Sequence, residues 1–550
     1  MKKIIKNKYY KYEEFLKNGL ININNQDFEK AKDIFLKAIK NFPNKYESYI
    51  NLSNVFILEK NYTKSINILK KYLKKDITNY QVLDLYSKIC LEYKFYNELY
   101  NFLKFQNLNI IDNAKEKFQL YYVEGIYHNK INNYKKSIDS YINSINCNKN
   151  FAPSYFKLLD LLENTNDLER FKIYLDIAKK NLTSSIELNI LNIYESLFFN
   201  RSKQYQISED IIFNNNLIEK FKNKKNYYIK ILDINLRNNE NLLNYSKAFN
   251  IVNKRNNLIQ NLQINKNFNR NIILETIKKY KNFYIQKNIL HVQNIEQKPL
   301  NFNLVFLVGF PRSGTTLLDT ILRSHSKITV LEEKPYLLEC RHEFFKNKNN
   351  NLNSLKEINS EEKNYLRKKY IESISKSEKN LSSTVIDKLP LSIIEIGFIK
   401  SIFPESKIIL ALRHPCDVVI SCFFSLFKIN DAMINFLKIE NTIEFYNEVF
   451  ELFEFYSNQI KLNYIKSKYE DLIFNFDKQI LIILNFLNLE FEKEMRNFYL
   501  TAKNREKIST PSYRQVINPL YKTSINRWKN YSKLTNLEES LEKWIKKFNY

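Results

Sequence analysis

The sequence predicts two architectures in one chain. An all-α repeat solenoid over residues 1–240 leads through a helical connector, 241–298, into a three-layer α/β domain with a parallel sheet over 299–550. Three observations predict this. A helical unit recurs every 34 residues through the first half. An apolar run, Leu304–Val308, breaks at Gly309 and resumes as a helical pattern from Thr315. Further short apolar runs that end in charged residues then alternate with helical segments, the pattern of βαβ units. With 550 residues the chain exceeds a single core, so two or three domains are expected.

The repeat is clearest in Asp27-Phe-Glu-Lys-Ala-Lys-Asp-Ile-Phe-Leu-Lys-Ala-Ile-Lys-Asn-Phe-Pro43. Stepping 34 residues from Phe28 reaches Tyr62 and then Tyr96; another copy starts at Tyr134, and a decayed one lies near Asp167–Phe171. Small residues (Ala31, Ser65, Ser137) fall where a partner helix must approach closely, and aromatics and leucines fill the rest. This unit resembles the tetratricopeptide repeat, a pair of antiparallel helices that buries its apolar face only by stacking on its neighbours. The resemblance implies a concave groove, which serves either to bind a peptide or partner protein or as a purely structural arm. Residues 240–300 are helical and polar, with Asn267–Ile277 the best helix, and Pro299 opens the second domain.

Gly309-x-x-x-x-Gly314-Thr-Thr has the spacing of a P-loop, but Thr315 stands where a nucleotide triphosphatase has Lys, and the cation is Arg312 inside the loop. Two of the chain's five glycines sit here, where the backbone must turn sharply. Backbone N–H groups at a helix start, the hydroxyls of Ser313 and Thr316 and the fork of Arg312 together suit a phosphate-like anion. A tight strand-to-helix turn without a ligand is the bland alternative.

Three more strands follow. Lys327–Leu331 ends at Glu332-Glu333, Ser383–Ile386 at Asp387-Lys388, and Lys407–Leu412 at Arg413-His414-Pro415. In a parallel sheet ligands bind beyond the carboxyl ends of the strands, so these charged groups are expected to converge on one site.

Pro311-Arg-Ser-Gly-Thr-Thr316 resembles the 5′-phosphosulfate loop of sulfotransferases, which use 3′-phosphoadenylyl sulfate (PAPS). Arg413-His-Pro-x-Asp417 with Ser421 is similar to that family's 3′-phosphate motif, and Tyr469-Glu-Asp-Leu472 to the segment whose Tyr lies by the adenine. Ser512-Tyr-Arg-Gln-Val516, Pro519 and Arg527-Trp528 resemble its C-terminal cofactor lid. The resemblance covers residues 300–545 and is greatest to the protein-tyrosine sulfotransferases and bacterial repeat-containing sulfotransferases. It implies PAPS held by Arg312, Ser313, Gly314, Thr315, Thr316, Arg413, Ser421, Tyr469, Ser512 and Arg527, with Glu333 as catalytic base, Lys388 as the transition-state lysine, Arg312 catalytic as well as binding, and no metal. The residues alone leave Glu332 and His325 open as the base, Lys388 open as a solvated loop lysine, and Tyr469 open as plain core. Two departures stand out: Lys334-Pro335 where the tyrosyl enzymes carry an Arg, and Arg527 where they carry Lys.

The net charge of +27 is spread from end to end without a basic block, so no nucleic-acid partner is expected. The five scattered cysteines contain no Cys-x-x-Cys, which speaks against a disulfide framework or a zinc site. Met1–Asn25 lacks an apolar core and no run approaches a membrane span, so a cytoplasmic protein is expected. His342 and His414 are expected to be structural or exposed. The resemblance implies an acceptor hydroxyl, whether of tyrosine in a peptide or protein, of a sugar or of a small molecule. Two other functions remain open: a nucleotide kinase or triphosphatase on a related fold, and a non-enzymatic repeat scaffold with a relic domain.

Overall fold

The computed structural model describes residues 2–77, 79–109, 117–285, 300–349, 351–378, 380–460, 462–503, 505, 519–520 and 522–550. Pro299 and the Ser512–Val516 segment lie outside the described residues. The chain divides into two compact units, Met1–Tyr194 and Glu195–Tyr550, the boundary falling inside the helix Ser185–Arg201.

The first unit is a series of antiparallel helix hairpins. Gln26, Lys60, Lys94, Asn132 and Asn166 share a left-handed φ of 58–64°, each at the turn between two helices. The following residue caps the next helix: side chains of Asp27, Asn61, Asn133 and Asp167 accept from the backbone N–H three residues on, at 3.1–3.3 Å. Five residues past the left-handed position the small residues Ala31, Ser65 and Ser137 are fully buried. There the helices cross closely. Ser53 and Ser65 share a 2.7 Å hydroxyl bond, Ser137 donates to the Gly125 carbonyl at 2.7 Å, and a Cβ on Gly19 would stand 2.3 Å from the Phe35 ring.

The same turn recurs in the second unit at Lys203 (φ 62°) and Leu243 (φ 63°), and the same crossing recurs where Ser196 meets Ser208 at 2.9 Å. The repeat pattern thus continues into the hairpin Lys225–Asn241/Tyr245–Gln260. This hairpin and the helix Arg270–Ile285, expected from sequence as solenoid end and connector, pack within the sheet-bearing unit: Leu236, Ala248, Val252, Ile277, Tyr280 and Tyr284 join its core.

That unit holds five parallel strands in the order β2-β3-β1-β4-β5: β1 Asn303–Gly309, β2 Ile328–Glu332, β3 Thr384–Lys388, β4 Lys407–Leu412 and β5 Tyr464–Lys468. Four match the expected strands, and β5 is an addition. Alternation along β1 supplies two cores: Phe306 and Val308 face one, Val305 and Leu307 the other. The second core is covered by the helix Thr315–Arg323, through Leu318, Ile321 and Leu322, and by Phe476–Leu487. Helices on both faces make the three layers. Among the described residues no helix is long and apolar enough to cross a membrane.

Candidate active site

The site forms where β1 and its neighbours end. β1 runs directly alongside β4, and a Cβ on Gly309 would meet the Ala411 carbonyl oxygen at 2.6 Å, so the backbones can approach this closely only with glycine. Gly314 has φ 87°, a conformation that costs glycine least, and its missing Cβ leaves room for the Tyr469 ring, which would lie 2.7 Å away. Arg312 between them also has positive φ, at 71°. A non-glycine residue held there stores backbone strain of about 1 kcal/mol or more, which elsewhere marks binding sites. Ser313, Thr315 and Thr316 are all buried.

On one side of the loop lies an arginine clamp. Arg312 Nε donates to Ser421 Oγ at 2.9 Å, across from the second turn of the helix Pro415–Phe424. Arg413, 6% exposed, donates to the Arg312 carbonyl at 3.3 Å and to the Ser524 carbonyl, and its guanidinium lies 5.1 Å over the Tyr469 ring. Among the described residues its Nε is buried without a partner. The Tyr469 hydroxyl meets Ser524 Oγ at 2.7 Å. Arg312, Arg413, Ser421 and Tyr469, expected together from sequence, are thus brought together.

On the other side, Lys388 at the end of β3 is fully buried, not a solvated loop lysine. Its Nζ donates to Glu333 Oε1 at 2.9 Å and lies 3.6 Å from Glu332 Oε1 and 3.7 Å from Asp319 Oδ2. Glu333 also adopts a left-handed φ, 49°, and its N–H donates to the Lys388 carbonyl at 2.8 Å, extending the strand pairing by one residue. Of the three candidate bases, Glu332 is tied to Arg505. His325 is engaged at both ring nitrogens, by the Lys327 N–H at 3.0 Å and the Glu490 carbonyl at 2.9 Å. Glu333, its side chain one-third exposed, is the one open to an acceptor. Asp387 beside Lys388 is buried and accepts from the Tyr370 hydroxyl at 2.8 Å; burial pushes its carboxyl up to about 7.

The expected lid residue Arg527 meets a different arrangement. Its guanidinium forks onto Glu240 from the hairpin, at 2.5 and 2.9 Å, and the Tyr531 hydroxyl donates to the same carboxylate at 3.0 Å. Ser512 lies outside the described residues. His414 packs flat on Trp528, ring centroids 5.3 Å apart, and burial lowers its pKa. Sequence reasoning missed several further groups. Asp417 accepts from the backbone N–H groups of Asn526 (2.8 Å) and Trp528 (2.9 Å), pinning the C-terminal segment to the helix of Ser421. Ser524 and Glu240 carry no local motif. Asp319 stands four residues after Thr315 and so shares its helix face, but that placement alone reads as solvated. Among the described residues no group of His, Cys, Asp and Glu could hold a metal ion.

Residues 305–493 match the model of the sulfotransferase family. The sheet-bearing unit carries a sulfotransferase domain. An uncharacterised protein of Aquifex aeolicus (strain VF5) is 25% identical over 259 residues, 44% of this chain and 33% of that protein, so the chain spans about a third of that relative's length. A Caenorhabditis briggsae protein named "Putative protein-tyrosine sulfotransferase" is 27% identical over 195 residues, 35% of this chain and 68% of the other. Among solved structures, the sulfotransferase domain from the Synechococcus PCC 7002 olefin synthase is 20% identical with a TM-score of 0.34, covering 46% of this chain and 98% of that domain.

Proposed function

We propose that this chain is a PAPS-dependent sulfotransferase that moves a sulfuryl group to an acceptor hydroxyl. The carrying observation is the Lys388–Glu333 pair at 2.9 Å, set one strand from the loop whose Arg312 is bonded to Ser421. A cationic clamp and an acid–base pair thus flank one phosphate-type loop. The residues present fit the co-substrate: the buried Nε of Arg413, orphaned among the described residues, and the start of the helix Thr315–Arg323 behind Gly314 both suit an anion.

Arg312, Ser313, Gly314, Thr315 and Thr316 hold the 5′-phosphosulfate, Arg413 and Ser421 the 3′-phosphate, and Tyr469 the adenine. Glu333 takes the acceptor's proton while the acceptor oxygen forms its bond to sulfur. The sulfur–oxygen bond to the phosphate breaks, and Lys388 neutralises the charge left on that oxygen. Little else is asked of the protein beyond positioning. Arg527, engaged by Glu240, contributes by fixing the C-terminal segment that carries Ser524. The repeat region, together with the name of the Caenorhabditis relative, favours a tyrosine of a peptide or protein as acceptor. The five cysteines, all unpaired, suit a reducing compartment such as the cytoplasm.

The test is transfer of labelled sulfuryl groups from PAPS to tyrosine peptides, sugars and small phenols by the full chain. Transfer that falls at least about 100-fold in Glu333→Gln supports the reading. No transfer to any hydroxyl, or equal transfer by the variant, contradicts it.

A further inference from the structure

Lys388 has an excess of carboxylates. Among the described residues six ionisable side chains bear on it from the elements packed around it. Glu333 and Glu332 come from the end of β2, Asp319 from the helix Thr315–Arg323, and Asp387 from β3 itself. Arg505 and Arg323 bear on it indirectly, the first through Glu332 and the second through Asp319. One hydrogen bond, to Glu333, uses one of the three ammonium protons. Asp319 is fully buried, and while its Oδ1 pairs with Arg323, its Oδ2 faces Lys388 with no hydrogen-bond partner among the described residues. Glu332 Oε1 is likewise buried and unpartnered at 3.6 Å from the same nitrogen. An orphaned buried carboxylate oxygen is costly, and here two of them are aimed at one cation.

We infer that Asp319 and Glu332 are positioning residues for Lys388. The inference rests on the sulfotransferase reading, in which Glu333 must turn from Lys388 to the acceptor and then become neutral. At that moment Lys388, itself fully buried, loses its one hydrogen-bonded carboxylate among the described residues, and an unpaired buried ammonium tends to lose its proton. Asp319 and Glu332 keep it charged and hold it at the strand ends, ready for the leaving phosphate oxygen. Neither touches the reacting atoms. They act through Lys388 alone.

The experiment uses the full chain with water as acceptor, so that no acceptor need be known. The sulfur–oxygen bond to the phosphate breaks, one to the water oxygen forms, and Glu333 takes the water proton, giving sulfate and adenosine 3′,5′-bisphosphate. Release of the bisphosphate from PAPS is followed across pH for the native chain, Asp319→Asn and Glu332→Gln, alongside calorimetric binding of the bisphosphate. The expected result is a rate lowered about tenfold or more, bisphosphate affinity within about twofold of native, and a high-pH falling limb moved about half a unit or more downward. An unmoved limb in both variants overturns the inference, as does a rate loss matched by an equal loss of affinity. If Asp319→Asn fails to bind the bisphosphate, Glu332→Gln alone decides on the same limb, and failure of both to bind overturns the inference. A native chain that neither binds the bisphosphate nor releases it from PAPS sinks the sulfotransferase reading itself, a result distinct from active variants with an unchanged profile.

Discussion

At the scale of single residues, position in the sheet decides what a charged group does. Asp387 and Lys388 are adjacent on β3 and both buried, yet Lys388 is surrounded by carboxylates while Asp387 has the Tyr370 hydroxyl as its hydrogen-bonding partner. Asp387 therefore holds its proton to about pH 7 when folded, against an ordinary value of 3.8. Between these values the folded state binds more protons than the unfolded chain, so this group makes stability fall as pH rises from about 4 to about 7, and adds no slope above. Asp387→Asn removes that slope. Denaturant midpoints read by fluorescence of the two tryptophans, both in the sheet-bearing unit, are expected to show a gain of about 1–3 kcal/mol at pH 8 and less at pH 5. An equal change at both pH values contradicts the assignment. Gly314→Ala places a methyl 2.7 Å from the Tyr469 ring at a φ of 87°, and about a tenfold loss in bisphosphate affinity is expected by calorimetry. The loop residues were legible in sequence because Gly-x4-Gly between a strand and a helix has few other uses. Asp319 was not singled out, because a carboxylate on a helix face reads as solvated until the fold buries it.

At the scale of elements, the hairpin Lys225–Asn241/Tyr245–Gln260 does more than extend a repeat. Arg255, wholly buried, pairs with Asp233 and donates to the Phe424 carbonyl at 3.1 Å, while Asn256 donates to the Phe423 carbonyl at 3.1 Å. Both satisfy the last carbonyls of the helix Pro415–Phe424, which follows directly on Arg413 and carries Ser421, and a cation there also suits the helix dipole. Glu240 holds Arg527, and Asp417 holds the backbone on either side of it. The hairpin therefore braces the arginine clamp from behind. Glu240→Ala leaves a half-buried guanidinium uncompensated, with an expected loss of about 1–3 kcal/mol in stability and a several-fold weaker hold on the bisphosphate. Thermal melting with and without the bisphosphate checks both, and an unchanged melting temperature contradicts the bracing role. No sequence pattern announced this, because Glu240 and Arg527 are separated by 287 positions. β5 escaped for a different reason: Tyr464-Ile-Lys-Ser-Lys468 lies at the sheet edge with only Ser467 buried, so it lacks the continuous apolar run of β1 and β4.

At the scale of the whole molecule, the 34-residue period and the strand–loop–helix order were sufficient to read both architectures. The extent of each was harder to read, because the repeat-like hairpin Lys225–Asn241/Tyr245–Gln260 keeps the repeat's turn geometry while contributing Leu236, Val252 and Ala248 to the core of the sheet-bearing unit in which it lies. A chain begun near residue 195 is expected to fold and bind the bisphosphate. One begun at 299 loses Tyr280 and Tyr284, which are buried in that core, and is expected to be insoluble. Recovery of a soluble, binding-competent 299–550 fragment contradicts that division.

The central claim, a site built for PAPS, is tested most directly by calorimetric titration of the full chain with adenosine 3′,5′-bisphosphate and with ATP, repeated in Arg413→Ala. The account predicts binding of the bisphosphate at about micromolar Kd, about 100-fold or more weaker in the variant, and no comparable binding of ATP. Equal or tighter binding of ATP contradicts it and points to a nucleotide kinase or triphosphatase; binding of neither contradicts it and leaves the repeats as the working part of the chain.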